Sequence, residues 1–158
     1  ASQGHQCKHL CIEPYEMDWL ERSGVQLLRE RVEVLPLSTF DELESGDILF
    51  IDNSHIIKPQ GDVLRLVQQV LPRLAPGVWV HVHDIFTPRD YPARWMFEKL
   101  LLWNEQYLLE AYLTGSPYEI RLPLNHLCAE DEARLRSSLQ VGESMKPTAF
   151  WIQKKDTP

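Results

Sequence analysis

Positive charge is scarce in this chain. Sixteen lysines and arginines face 23 acidic residues, a net charge of −7, and the basic residues are scattered, with one adjacent pair at Lys154-Lys155. Nucleic-acid binding needs a basic stripe or patch, so a phosphate backbone is not the expected partner. Long apolar runs are missing too: none approaches the roughly 18–20 residues of a membrane span. Nothing ahead of the first predicted strand reads as a secretory leader. Cysteine is limited to Cys7, Cys11 and Cys128. An odd number argues against a disulfide framework, and no second closely spaced pair follows Cys7 and Cys11 to complete a zinc knuckle. The expectation is plain thiols in a reducing, cytoplasmic setting, with no membrane and no nucleic acid. No internal repeat or low-complexity stretch is present.

The 158 residues fit one domain, 1–158. A composition of 44% hydrophobic and 25% charged residues is that of an ordinary globular chain. Its organising stretch is Gly46-Asp47-Ile48-Leu49-Phe50-Ile51-Asp52-Asn53-Ser54-His55. A short continuous apolar run predicts a strand buried on both faces, as inside a parallel sheet. Ligands of open α/β sheets bind beyond the carboxyl ends of the strands, where Asp52 and His55 would sit. Pro76-Gly77-Val78-Trp79-Val80-His81-Val82-His83-Asp84 repeats the design. Two strands are thus expected to deliver acid and imidazole to one edge of a sheet.

In chain order, residues 1–6 are expected to fray, and His9 to Glu13 reads as a strand stopped by Pro14. A helix follows over 16–23 with Gly24 as C-cap, then a strand over 31–36. Ser38 and Thr39 cap a short turn over 40–43. After the central strand, Asp62 reads as N-cap of a helix in which Val63, Leu66, Val67, Val70, Leu71 and Leu74 recur at helical spacing. Pro92 opens a long helix running to about Leu113. Strands over 118–122 and 148–152 flank a helix over 131–139. The alternation of strands and helices predicts an α/β sheet with helices on its faces, with one of the last two strands antiparallel.

Four residues form the main chemical cluster: Asp52, His55, His83 and Asp84. Carboxylate beside neutral imidazole suits a divalent metal, and an acid holding a histidine makes a general base. His81, alternating with His83, reads as core. Glu13 at a strand end is either a solvated acid or an acceptor for both hydroxyls of a ribose. Trp103-Asn104-Glu105-Gln106-Tyr107 places polar and aromatic residues in mid-helix. The group either lines a pocket or, for Trp103, packs in the core.

Several of these stretches together resemble class I S-adenosylmethionine-dependent methyltransferases. They are Cys11-Ile12-Glu13-Pro14-Tyr15, the run 46–55, Val80-His81-Val82-His83-Asp84-Ile85-Phe86, Asp90-Tyr91-Pro92 and the run 103–107. The resemblance is to a bacterial branch with D-x-S-H and H-D-I-F strand ends, and it covers roughly residues 9–125. It implies a Rossmann-like sheet, mostly parallel, with an antiparallel C-terminal strand. It also implies S-adenosylmethionine as cofactor. Glu13 would take the ribose hydroxyls, Leu37 and Ser38 would lie against the adenine, and Asp52 would face the methionine end. His55, His83 and Asp84 would be catalytic. Metal-dependent relatives bind a magnesium-type cation at the positions of Asp52 and Asp84. Here Ile85 stands where those enzymes often carry Asn or Asp, leaving His55 or His83 to act as ligand or base.

The family's first strand and glycine-rich turn should precede Cys11, yet only ten residues stand there, with one glycine, Gly4. The expectation is a fragment whose missing strand exposes sheet edges and makes a second copy of the chain a candidate partner. The implied activity is methyl transfer to an oxygen or nitrogen of a small-molecule acceptor. Two rivals stand beside it: a non-catalytic self-associating module with a vestigial site, and a metal-dependent hydrolase using Asp52, His55, His83 and Asp84.

Overall fold

The computed structural model describes residues 7–15, 17–139 and 147–156. The fraying expected over residues 1–6, and Gly4 within them, lies outside that range. The chain divides into two compact units, Ala1–Pro36 and Leu37–Pro158.

In the first unit, strand β1 (Leu10–Ile12) and strand β2 (Gln26–Leu28) pair in parallel, Leu10 opposite Gln26 and Ile12 opposite Leu28. Helix α1 (Asp18–Glu21) connects them and buries Leu20. Gly24, at φ +80°, makes the left-handed exit that the sequence assigns to it. The strand expected over 31–36 is not there. Val32 and Val34 alternate as a strand would, but the Val34 N–H closes a turn onto the Arg31 carbonyl at 3.1 Å, and Val34 is exposed. The pairing partner of β1 is the segment immediately after Gly24.

The second unit carries a four-stranded sheet in the order β3-β4-β6-β5. Its strands are β3 (Ile48–Ile51), β4 (Trp79–Val82), β5 (Tyr118–Pro123) and β6 (Phe150–Lys154). β3 and β4 run parallel, while β6 is antiparallel to both β4 and β5, so the last strand is antiparallel as the resemblance implies. The crossover from β3 to β4 begins with helix α2 (Asp62–Arg65), widens into a π turn over Leu66–Val70 and tightens over Leu71–Arg73. All six apolar positions of its predicted stripe are buried, together with Val78 just ahead of β4 and Val80, Val82, Phe150 and Ile152 of the sheet. That burial of one helix stripe against one sheet face forms the core.

Three local expectations change. First, β3 is not buried on both faces: Ile48 and Phe50, which share one face, are 56% and 58% exposed while Ile51, on the other, is buried; β3 also ends the sheet, with β4 its one strand neighbour among the described residues. Second, the N-cap of α2 is Gly61, and Asp62 instead accepts hydrogen bonds from the Ser54 N–H and hydroxyl at 2.8 and 2.7 Å. Third, the long helix from Pro92 is two helices, α3 (Ala93–Phe97) and α4 (Glu105–Leu113). Between them Leu100 takes φ +54°, and the Asn104 N–H bonds the His55 carbonyl at 3.0 Å. The predicted 40–43 turn sits earlier, at Leu37–Phe40. Two helices, α5 (Leu124–Glu130) and α6 (Glu132–Leu139), precede β6.

Candidate functional site

Parallel pairing decides where the chemistry goes. Ile51 lies opposite Val82, and the His83 N–H donates to the Ile51 carbonyl at 2.9 Å. Asp52 therefore leaves β3, and His83 and Asp84 leave β4, at the same carboxyl edge of the sheet. Two non-glycine residues there adopt left-handed backbone, His55 at φ +56° and Asp84 at φ +55°. Such conformations carry strain and collect at functional sites.

His55 is the centre of the arrangement. Its ring is buried and lies against the Trp103 indole, with centroids 4.1 Å apart. Nδ1 is 2.9 Å from Glu105 Oε2, and Nε2 is 3.4 Å from Asp52 Oδ1. Glu105 is 1% exposed, and its other oxygen accepts from Asn53 Nδ2 at 2.7 Å. Asn53 Oδ1 in turn accepts the His55 backbone N–H at 2.8 Å. Asn104 Oδ1 takes the Ile57 N–H at 2.6 Å. The loop after β3 and the start of α4 are thus stitched together around one imidazole. Burial disfavours charge on His55, but the Glu105 hydrogen bond and the charges of Glu105, Asp52 and Asp84 outweigh it, so its pKa is raised.

The neighbouring imidazoles differ from it. His81 is buried between Phe50 and Trp151, at centroid distances of 4.4 and 4.7 Å, which is the core role expected of it. Burial, and then the electrostatic influence of the neighbouring His83, push its pKa down to about 4. His83 Nδ1 is 3.3 Å from His81 Nε2, and His83 Nε2 is 3.6 Å from Asp84 Oδ1. Asp52 is half exposed at the rim, and Asp84 is more sheltered. Gln106, fully buried, ties the loop after Asp84 to α4: it accepts the Phe86 N–H and donates to the Arg89 carbonyl.

The remaining assigned residues are Leu37, Ser38 and Glu13. Leu37 and Ser38 open the short turn that precedes β3, Leu37 half-buried and Ser38 exposed. Glu13 belongs to the first unit; it follows β1, and its carboxylate accepts the Tyr15 N–H at 2.8 Å. A cation at Asp52 and Asp84 needs further ligands. Among the described residues no group of three or more His, Cys, Asp or Glu side chains is arranged to hold a metal ion. The residues that sequence reasoning did not assign are Asn53 and Glu105. The 103–107 run signalled the second of them, but nothing local reveals a partner 50 positions away.

Residues 2–85 match the model of a family described as "Methyltransferase domain". The chain belongs to that family. The match makes this a class I S-adenosylmethionine-dependent methyltransferase-like domain, with the mixed α/β sheets seen here, and its last matched residue, Ile85, directly follows Asp84. Comparison with curated proteins gave no significant match, nor did comparison with solved structures. Among the described residues the methyltransferase domain has no helix long and apolar enough to cross a membrane. The start of α4, with Glu105, lies beyond the matched segment.

Proposed function

We propose that this methyltransferase domain transfers the methyl group of S-adenosylmethionine to an oxygen or nitrogen of a small-molecule acceptor. The observation that carries the reading is His55: a buried imidazole bound to Glu105, at the carboxyl edge shared by two parallel strands, with its second nitrogen turned to Asp52 at the rim. Taken one by one, the assigned residues have chemistry suited to parts of the cofactor. Glu13 is a carboxylate held at a strand end by the Tyr15 N–H, suited to paired ribose hydroxyls. Leu37 offers an apolar surface to a purine, and Asp52 a charge to the methionine end. S-adenosylmethionine supplies an already activated sulfonium methyl, so the chain's task is chiefly alignment. His55 takes the acceptor's proton, while His83 and Asp84 flank the acceptor. No metal-borne step is part of this reading.

Calorimetry of the 158-residue chain with S-adenosylmethionine tests it. Expected is saturable binding, weakened at least about tenfold by Glu13→Ala, a loss of roughly 1.4 kcal/mol. Absence of binding by the wild-type chain overturns the proposal. The open edge of β3, with Ile48 and Phe50 exposed, favours the rival reading of a self-associating module. Sedimentation of the same chain, with and without cofactor, separates the two: tight cofactor binding by a monomer removes the rival.

A further inference from the structure

The rim residues leave open whether the acceptor atom is oxygen or nitrogen, and the hydrogen-bond chain behind His55 bears on that choice. Glu105 has both oxygens committed, one to His55 Nδ1 and one to Asn53 Nδ2, and it is almost wholly buried. A carboxylate so placed keeps the proton on Nδ1 and leaves Nε2, 3.4 Å from Asp52 Oδ1 at the rim, as the basic nitrogen of the ring. Trp103 covers the ring, and the His55 carbonyl accepts the Asn104 and Glu105 N–H groups at 3.0 and 3.3 Å, which fixes the left-handed residue in place. Three segments thus converge to orient one lone pair. An amine must shed its extra proton before it can attack, and an acidic rim of Asp52 and Asp84 would hold it as unreactive ammonium. A hydroxyl is uncharged and becomes a competent nucleophile only as its proton leaves. That is the task an oriented imidazole performs.

Resting on the methyl-transfer reading above, we infer that the acceptor is a hydroxyl compound, that His55 Nε2 receives its proton, and that Glu105 is the positioning residue for His55. As the hydroxyl oxygen bonds the methyl carbon, the carbon–sulfur bond breaks, and its electron pair stays on sulfur as a thioether. The hydroxyl proton passes to Nε2, giving a methyl ether and an imidazolium that is stabilised by Glu105 and later returns its proton to water. The charged and titratable groups facing His55 are Asp52 from the β3 end, Asp84 from the β4 end and Glu105 from α4. The Tyr91 phenol, which accepts the Gln106 N–H at 3.1 Å, lies behind them.

The test offers S-adenosylmethionine with a labelled methyl to the 158-residue chain, together with matched panels of phenols, alcohols and amines, and products are read by mass spectrometry. Expected is methylation of hydroxyls and not amines. Glu105→Gln should lower kcat by about 100-fold and move the acid limb of the kcat profile to lower pH. KM for the cofactor and its calorimetric binding should not change, and Glu105→Asp should restore part of the rate. Methylation confined to amines, or a Glu105→Gln variant with unaltered kcat and pH limb, overturns the inference. Nitrogen-15 shifts of His55 in the wild-type chain provide a reading that survives a misfolded variant. A proton on Nδ1 and a bare Nε2 above the acid limb are expected, and the opposite tautomer overturns the inference. Failure of the wild-type chain to bind the cofactor would sink the methyl-transfer reading instead, a result distinct from either of these.

Discussion

His55, in the loop after β3, and His81, in β4, are placed in opposite electrostatic surroundings, and they should leave opposite marks on stability. The carboxylates around His55 raise its pKa in the folded state. Its contribution to stability is therefore complete below the ordinary histidine value and is lost as pH rises through the raised one. His81 has its pKa pushed down to about 4, by burial first and by His83 second. Its neutral form is favoured, so stability is present above the unfolded value near 6.5 and is lost as pH falls from there toward 4. Urea midpoints measured from pH 4 to pH 9 should show both effects. His81→Phe should flatten the acid side, and His55→Gln should flatten the neutral side. Unchanged slopes in both variants would refute the two assignments.

At the scale of elements, the crossover between β3 and β4 is held at its far end by Lys154. Its Nζ donates to the carbonyls of Pro72 and Leu74 at 2.7 and 2.6 Å, where the helical turns end and their carbonyls lack partners. Lys154→Met keeps the aliphatic stem but leaves two acceptors unpaired. It should cost about 1–3 kcal/mol, read as a lower thermal midpoint with cofactor affinity unchanged; an unaltered midpoint would show the cap to be idle. The same crossover was the most legible part of the sequence, because its apolar residues recur at a spacing that only a helix can bury on one side. The segment 92–113 was not legible. Pro92 opens it and apolar residues continue through Leu102, so local pattern extends one helix across a break that distant partners impose. Val32 and Val34 misled for a related reason: two alternating residues cannot outweigh a turn that the backbone closes beneath them.

For the whole molecule, the pairing of β3 with β4 was readable and the surroundings of that pair were not. The repeated design of residues 46–55 and 76–84 foretold Asp52 and Asp84 at a common edge, and the register bears this out. Full burial of β3 did not follow, since an apolar run does not reveal whether both of its faces are covered. With Ile48 and Phe50 exposed on a strand paired along one edge among the described residues, the chain should self-associate at high concentration. Phe50→Lys should shift sedimentation toward monomer and leave the far-ultraviolet circular dichroism unchanged; persistence of the associated species would place the contact elsewhere. The interruption between α3 and α4 has one more effect. Residues two apart in a continuous helix point about 200° away from each other, yet Trp103 and Glu105 both touch His55. The indole is carried by the connecting loop and the carboxylate by the helix that follows. On the proposed chemistry, exchanging residues 98–102 would therefore re-tailor the space above the imidazole and leave the His55–Glu105 pair as it is, a place where acceptor preference could drift without cost to proton transfer.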